Sequence, residues 1–303
     1  MIDTPPQVAP RSDAVVPDPS SRRRRGRSPS ESRGPVATTA IYVALVLGTI
    51  VTLSPLVWNV LSSFKPSGEI LLAQSWWPET FTLENFSQLL SGGEFPRYFF
   101  NSVVVSVAIV LGNILLCSAV GYALAKLRFP GRGIVFGAVL VTFMVPSLVL
   151  FVPQFVTVAS LNLTNTYGGL ILPLIITPLG VFVMRQFISQ LPDELLEAAR
   201  IDGSGEARLF FRIILPLCGP AVATVGILSF VMSWNNLLWP LVVAQTSDMY
   251  TLPVALTTIS QAEGSVAYGP LLAGSLLTIL PIIVVFVFFQ RYFIAGIAST
   301  GIK

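Results

Sequence analysis

The stretch Glu197-Ala198-Ala199-Arg200-Ile201-Asp202-Gly203, followed after nine further residues by Ile213-Ile214-Leu215-Pro216, sets acids, arginines and a glycine turn between two apolar segments. The chemistry open to this cluster is recognition rather than bond-making. Carboxylates and guanidinium groups give charge, and Ala198 and Ala199 leave so little bulk that a partner surface can approach the backbone. The sequence contains no histidine, which removes His-based metal sites and His general bases. Its three lysines, Lys65, Lys126 and Lys303, lie outside any Gly-x-x-x-x-Gly-Lys-Ser/Thr pattern. The chain therefore lacks a phosphate-cradling loop, and any ATP hydrolysis it uses must come from another polypeptide. No Gly-x-Ser-x-Gly elbow occurs either, so no catalytic set and no metal site is expected.

A second group is uncharged. Asn113, Gln154, Asn235 and Asn236 lie within or near apolar stretches, and Trp234 offers an aromatic face. Amides and a ring suit a neutral, hydroxylated ligand better than charges do. The competing reading is that the amides join helix to helix inside a bundle. Ala119 and Ala123 form a small-x-x-x-small face that reads as helix packing.

The elements that position these residues must live in lipid. Apolar residues make up 53% of the chain and charged ones 11%, where a soluble domain carries about 25% charged residues. Mean hydropathy is +0.76. Six stretches reach or approach the ~20 residues that span a bilayer. They are Val36–Leu61, Tyr98–Ala125, Gly133–Val158, Tyr167–Met184, Ile214–Ala244 and Tyr268–Phe289. Pro55, Pro146, Pro153, Pro173, Pro178, Pro240 and Pro281 fall in or near them, so kinks are expected. No Asp, Glu, Lys or Arg lies near the middle of any span, which speaks against an ion-coupled carrier. Cys117 and Cys218 read as small buried residues, not as a disulfide framework.

With both ends inside, every basic residue except Lys65 and Arg97 falls on one side. That asymmetry places both termini and the Glu197 hairpin in the cytoplasm. Residues 1–35, rich in Pro, Ser and Arg and centred on Arg22-Arg23-Arg24-Arg25-Gly26-Arg27, cannot build a core. They form a disordered basic cytoplasmic tail, and residues 36–303 the transmembrane domain. The outer segment Lys65–Arg97, with Trp76 and Trp77, rests on the interface or meets a partner.

Local rules shape the hairpin, about residues 190–216. Asp193 and Glu194 follow Pro192 where a helix N-terminus favours negative charge. Leu195, Leu196 and Ala199 share one side at helical spacing, with Glu197 and Arg200 on others. Gly203 stands where a helix stops, and Ser204 is placed to cap a second short helix bearing Glu206, Ala207 and Arg208.

At this spacing the chain resembles the permease subunits of ATP-driven, binding-protein-dependent (ABC) importers. Their signature is Glu-Ala-Ala, three residues, Gly, nine residues, Ile, one residue, Leu-Pro, and Glu197 to Pro216 match it at every fixed position. Ser63-Phe64-Lys65-Pro66, Leu83-Glu84-Asn85-Phe86 and Tyr122 to Gly131 look like the carbohydrate-uptake branch. So do Trp234-Asn235 with Pro240-Leu241, and the closing Gly296 to Lys303. Within that branch the chain is similar to the maltose-type second permease.

The resemblance implies an all-α integral membrane protein of a prokaryotic plasma membrane. It has six transmembrane helices and a cytoplasmic coupling helix between spans four and five. Glu197, Ala198, Ala199, Asp202, Gly203, Ile213, Leu215 and Pro216 would engage the ATPase, and Trp234, Asn235, Asn236, Asn113 and Gln154 would line the substrate path. The implied partners are a second permease subunit, an ATPase dimer that carries ATP and Mg, an extracytoplasmic solute-binding protein and membrane lipid. No cofactor on this chain and no nucleic acid are implied. A sugar or sugar derivative is the expected cargo. The alternatives are a polyol or glycerol-phosphate ester, or a membrane scaffold for an ATPase that carries nothing.

Overall fold

Where the helices lie follows from apolar runs, proline positions and polar breaks. The computed structural model describes residues 35–72, 75–259 and 267–300, and among them the chain is helix and loop without strands. The predicted basic tail lies outside the described residues except for Pro35, as do 301–303 of the closing segment.

The chain divides into a unit ending at Leu53 and one beginning at Ser54. The first contains, among described residues, the leading part of α1 (Pro35–Ser63), which is apolar on every side and suited to lipid.

The second unit carries the remaining helices. On the chain end of α1 follow two short helices, α2 (Ser67–Leu72) and α3 (Glu84–Ser91). A long rod comes next: α4 (Phe95–Gly112), a widened π turn (Asn113–Cys117) and α5 (Ser118–Lys126). Then come α6 (Arg132–Met144), α7 (Ser147–Ser160), α8 (Tyr167–Ile171) and α9 (Pro178–Ser189). The hairpin contributes α10 (Asp193–Ile201) and α11 (Glu206–Leu209), a second π turn (Phe210–Ile214) and α12 (Leu215–Leu217). The chain closes with α13 (Gly219–Trp234), α14 (Leu238–Val243), α15 (Leu252–Ile259) and α16 (Tyr268–Thr300).

Three described helices are long and apolar enough to cross a membrane: Val36–Ser63, Phe95–Lys126 and Tyr268–Gln290. Three bent pairs pass the same test, raising the number to as many as six. Each bend has a local cause. The predicted third span is α6 and α7 set at 105°, because Val145 is extended ahead of Pro146 as prolines require of the residue before them. The fourth breaks by 44° where Thr177 is extended before Pro178, and α9 continues to Ser189, beyond the predicted Met184. The predicted run Ile214–Ala244 is several pieces: α12 meets α13 at 81°, and α13 stops at Trp234. Asn236 accepts the Trp239 N–H (3.2 Å) just ahead of α14, whose N-terminal flanking residue is Leu237.

Burial concentrates in three clusters. One joins α5, α9, the hairpin and α13 through Tyr122, Met184, Ile188, Leu196, Leu209 and Ile214. A second joins α4, α7, α8 and α14 through Ile109, Val158, Leu170 and Trp239. The third gathers Phe95, Tyr98, Trp234 and Leu252 against α16.

Two motif segments twenty residues apart make one knot. The Asn85 amide donates to the carbonyls of Ser63 and Lys65, 2.8 Å each, and Phe64 and Phe86 rings lie 5.2 Å apart. Lys65, 1% exposed, donates to the Ser75 carbonyl at 2.6 Å and has the Glu69 carboxylate 4.0 Å away. Gly269, at the start of α16, is where a Cβ would collide with the Asn85 amide oxygen, so α16 approaches the knot through a bare backbone.

Candidate functional site

α10 is a two-turn helix whose polarity matches its dipole, with Asp193 and Glu194 in the first turn and Arg200 in the last. Its end is closed by a Schellman pair. The Ser204 N–H reaches the Ala199 carbonyl and the Gly203 N–H the Arg200 carbonyl, both at 3.0 Å. This requires Gly203 in the left-handed region (φ +79°), while the space around it is open. Glycine is needed there for the backbone, not for clearance. Ser204 therefore does not cap the next helix, as its type suggests. Gly205 takes that place without a side-chain bond, while the Ser204 N–H closes α10.

Leu196 and Ala199 are buried, whereas Leu195 faces out at 47% exposure. Glu197, Ala198 and Asp202 are exposed, and Ile201 stands 86% exposed beside them. This open face mixes apolar and acidic groups over a backbone kept low by alanine. Beyond it, Ile213 and Leu215 are half-buried and Pro216 exposed. The π turn ahead of Pro216 is closed by the Leu215 N–H on the Phe210 carbonyl. An α-turn at Pro216 would have needed the N–H that proline lacks.

Five side chains hold the hairpin to α5 or to itself, and of these Tyr122 and Lys126 were not expected to. The Lys126 ammonium donates to Asp193 Oδ1 and to the Leu191 carbonyl, each at 2.6 Å. The Tyr122 hydroxyl donates to Glu206, which also accepts from Arg200 Nε at 2.9 Å. The ammonium of Lys126 holds the Asp193 carboxyl below the usual carboxylate range. One signal pointed here: Tyr122 and Lys126 are four apart on one helix, so they share a face.

The five candidate path residues do not converge. Asn113 is fully buried in the π turn with all its bonding capacity used. Nδ2 donates to the carbonyls of Ile109 (3.0 Å) and Leu174 (2.8 Å), and Oδ1 accepts from Thr177 (2.7 Å) and Cys117 (3.4 Å). The Leu174 carbonyl needs this donor because the helix ends there and Thr177 is extended, so no intrahelical N–H reaches it. Trp234 is 1% exposed, stacks on Phe230 and donates to the Thr278 carbonyl at 3.0 Å. Beside it, Phe99, Val103, Phe230, Leu280 and Pro281 line a groove of about 330 Å³ whose walls are apolar. Asn235 is exposed and its amide bonds back to Val231; Asn236 accepts the Trp239 N–H. Gln154, half-buried on the bent arm α7, makes no hydrogen bond among the described residues.

Comparison with known proteins supplies the family. Residues 117–298 match the binding-protein-dependent transport system inner membrane component, and the chain belongs to that family. It is thus an inner-membrane permease subunit of an ABC importer, not itself catalytic, with ATP hydrolysis on a separate ATPase. Among its relatives, the arabinooligosaccharides transport system permease protein AraQ of Halalkalibacterium halodurans is 43% identical over 89% of this chain and 98% of its own length. The diacetylchitobiose uptake system permease protein NgcG of Streptomyces coelicolor is 33% identical, covering 86% and 87%. The sn-glycerol-3-phosphate transport system permease protein UgpE of Rhizobium meliloti is 32% identical, covering 88% and 98%. In fold, the chain resembles a bacterial ABC transporter for import of the acidic polysaccharide alginate, with a TM-score of 0.79 at 20% identity over 85% of this chain and 96% of the other.

Proposed function

We propose that this chain forms half of the translocation pathway for a sugar or sugar derivative and takes its driving force through α10 and α11. The observation that carries the reading is the closed α10 turn with its outer face left open, in a chain 43% identical to a permease named for arabinooligosaccharides. A second permease subunit completes the pathway, an ATPase dimer bears ATP and Mg, and an extracytoplasmic binding protein delivers the cargo. The chain itself holds no cofactor and no metal. Glu197, Ala198, Asp202 and Gly203 form the docking face, with Ala199 beneath them and Ile213, Leu215 and Pro216 fixing its exit.

In this reading the three straight helices and three bent pairs are six spans, with both termini and α10 in the cytoplasm. ATP binding closes the ATPase pair, α10 follows its docking cleft, and the bundle exchanges an inward-facing packing for an outward-facing one. Hydrolysis reverses the exchange. Of the five path residues, Gln154 has the free amide that a cargo hydroxyl needs, and Asn235 is exposed. Trp234 and Asn113 act by shaping the bundle.

The test is purification of the tagged chain from its native membrane in mild detergent, with mass spectrometry of what accompanies it. An ATPase, a second permease and a solute-binding protein support the importer, and the binding protein is then titrated with sugars. A binding protein that takes glycerol-phosphate esters and refuses sugars favours the second reading, which the UgpE relative keeps open. A folded chain that comes alone overturns the coupling role. For orientation, Ala198→Cys should react with an impermeant maleimide in inside-out vesicles only, since Cys117 and Cys218 are buried.

A further inference from the structure

Both ends of the hairpin are tied to a single transmembrane rod. Lys126, the last residue of α5, grips the start of α10 through Asp193 and the Leu191 carbonyl. One turn earlier, Tyr122 grips Glu206, the first residue of α11, and Glu206 in turn holds Arg200 in the last turn of α10. The two grips rise from one face of α5 and leave the face of Glu197, Ala198 and Ile201 uncovered.

Burial makes these contacts more than surface pairs. The Tyr122 residue is 4% exposed and the Lys126 side chain 7%, although Asp193 is 74% exposed. A fully exposed ion pair is worth little. Charge-assisted bonds with one partner buried are the stronger kind. Below the grips, α5 lies against α9 so closely that a Cβ on Gly121 would come within 2.8 Å of the Arg185 nitrogen and of Met184 Cβ. A displacement delivered to α5 meets backbone there, with no pliant side chain between to absorb it.

We propose that Tyr122 and Lys126 are positioning residues that make α5, α10 and α11 one rigid body, so that α5 is the first transmembrane helix to move when the ATPase moves. The proposal rests on the reading of α10 as the ATPase-docking helix. It assigns the Tyr122–Lys126 segment a role in transmission, distinct from the docking face itself.

The test follows two distances by paired spin labels in the full complex in lipid nanodiscs, with Mg-ATP and vanadate as the probe. The first pair, Glu194→Cys and Arg128→Cys, reports whether α10 and the end of α5 travel together. The second, Glu194→Cys and Ser91→Cys, reports whether the hairpin moves relative to the outer segment. All three positions are exposed. In the otherwise unaltered chain the second distance should change on trapping while the first holds within about 1 Å, the scale of a helix shift being about 1–2 Å or more. In Y122F combined with K126M the first distance should change as well, by more than about 2 Å, with the ATPase still co-purifying. Y122F combined with K126R, which keeps a donor for both Asp193 and the Leu191 carbonyl, should restore most of the rigidity, which a role independent of that donor would not allow. A first distance that holds in Y122F/K126M while the second still responds overturns the proposal alone. A second distance that never responds in the unaltered chain overturns the docking reading and this proposal with it.

Discussion

The hairpin and the Asn113 node are both polar, yet they are bonded in opposite ways. At the hairpin the bonds are charged, few, and set where Asp193, Arg200 and Glu206 stand at least 40% exposed. At the node they are neutral and saturated, with one fully buried amide serving four partners across α4, the π turn and the break before α9. Near water a broken bond is replaced by solvent, so each tie costs less to lose than one at the node, and the joint is held rigid by two together. In lipid nothing replaces it, so the node acts as a weld. A machine driven from one end has use for both.

Breaking the weld should cost most. Asn113→Leu leaves the Leu174 carbonyl and the Thr177 hydroxyl without their partner, at about 1–3 kcal/mol for each buried orphan. A large fall in the melting temperature of the detergent-solubilised chain is the expected result. A variant that melts with the parent would mean the two regions do not differ as described.

Next comes the backbone of the hairpin. Gly203→Val forces a β-branched residue to φ +79°, costing roughly 1–2 kcal/mol or more. Because the loop is solvent-facing, the bundle should melt nearly as before while ATPase stimulation by the loaded binding protein collapses. Equal losses of melting and stimulation would erase the distinction.

A smaller effect is expected from Glu206→Gln. It keeps the shape and an acceptor for Tyr122 but removes the charge assistance, worth about 1 kcal/mol. Hydrogen exchange at residues 206–209 should quicken, with little change at Asn113.

Smallest is the response to acid at Asp193. Lys126 lowers its carboxyl in the folded chain, so this tie is complete above the ordinary carboxylate value near 3.9. It loosens only as pH falls through the lowered value. Protection of the α10 amides, taken against the intrinsic exchange rate at each pH, should hold between pH 7 and 5 and fall in stronger acid. A fall already at pH 6 would show that another group controls the hairpin.

The hairpin was legible because its determinants are local. Acid at a helix start, glycine at a stop and two alanines between are read from adjacent positions, and Gly203 sits as they require. Only Ser204 defied its type: its N–H closes α10, and Gly205 stands at the start of α11. The apolar runs were likewise legible as stretches of lipid-compatible chain. What happens inside them was less so. Pro146 foretells a kink, but 105° between α6 and α7 depends on neighbours far along the chain. The roles of Asn113 and Trp234 were hidden for the same reason. An amide looks identical in sequence whether it faces a sugar or a stranded carbonyl sixty residues away. Tyr122 and Lys126 could be assigned to a shared face, but not to Glu206 and Asp193, because those partners arrive through the fold.

The bond from Asn113 to the Leu174 carbonyl also has a genetic meaning. The carbonyl is stranded because the short helix ends at Leu174 and Thr177 is extended, so the amide stands in for a missing turn of helix. Pro178 opens α9, where a first-turn N–H has no intrahelical partner anyway, so Pro178→Ala should not relieve Asn113. Asn113→Leu should be as harmful in that background as alone. Position 113 is tied to the break itself, and no single change at 178 frees it to vary.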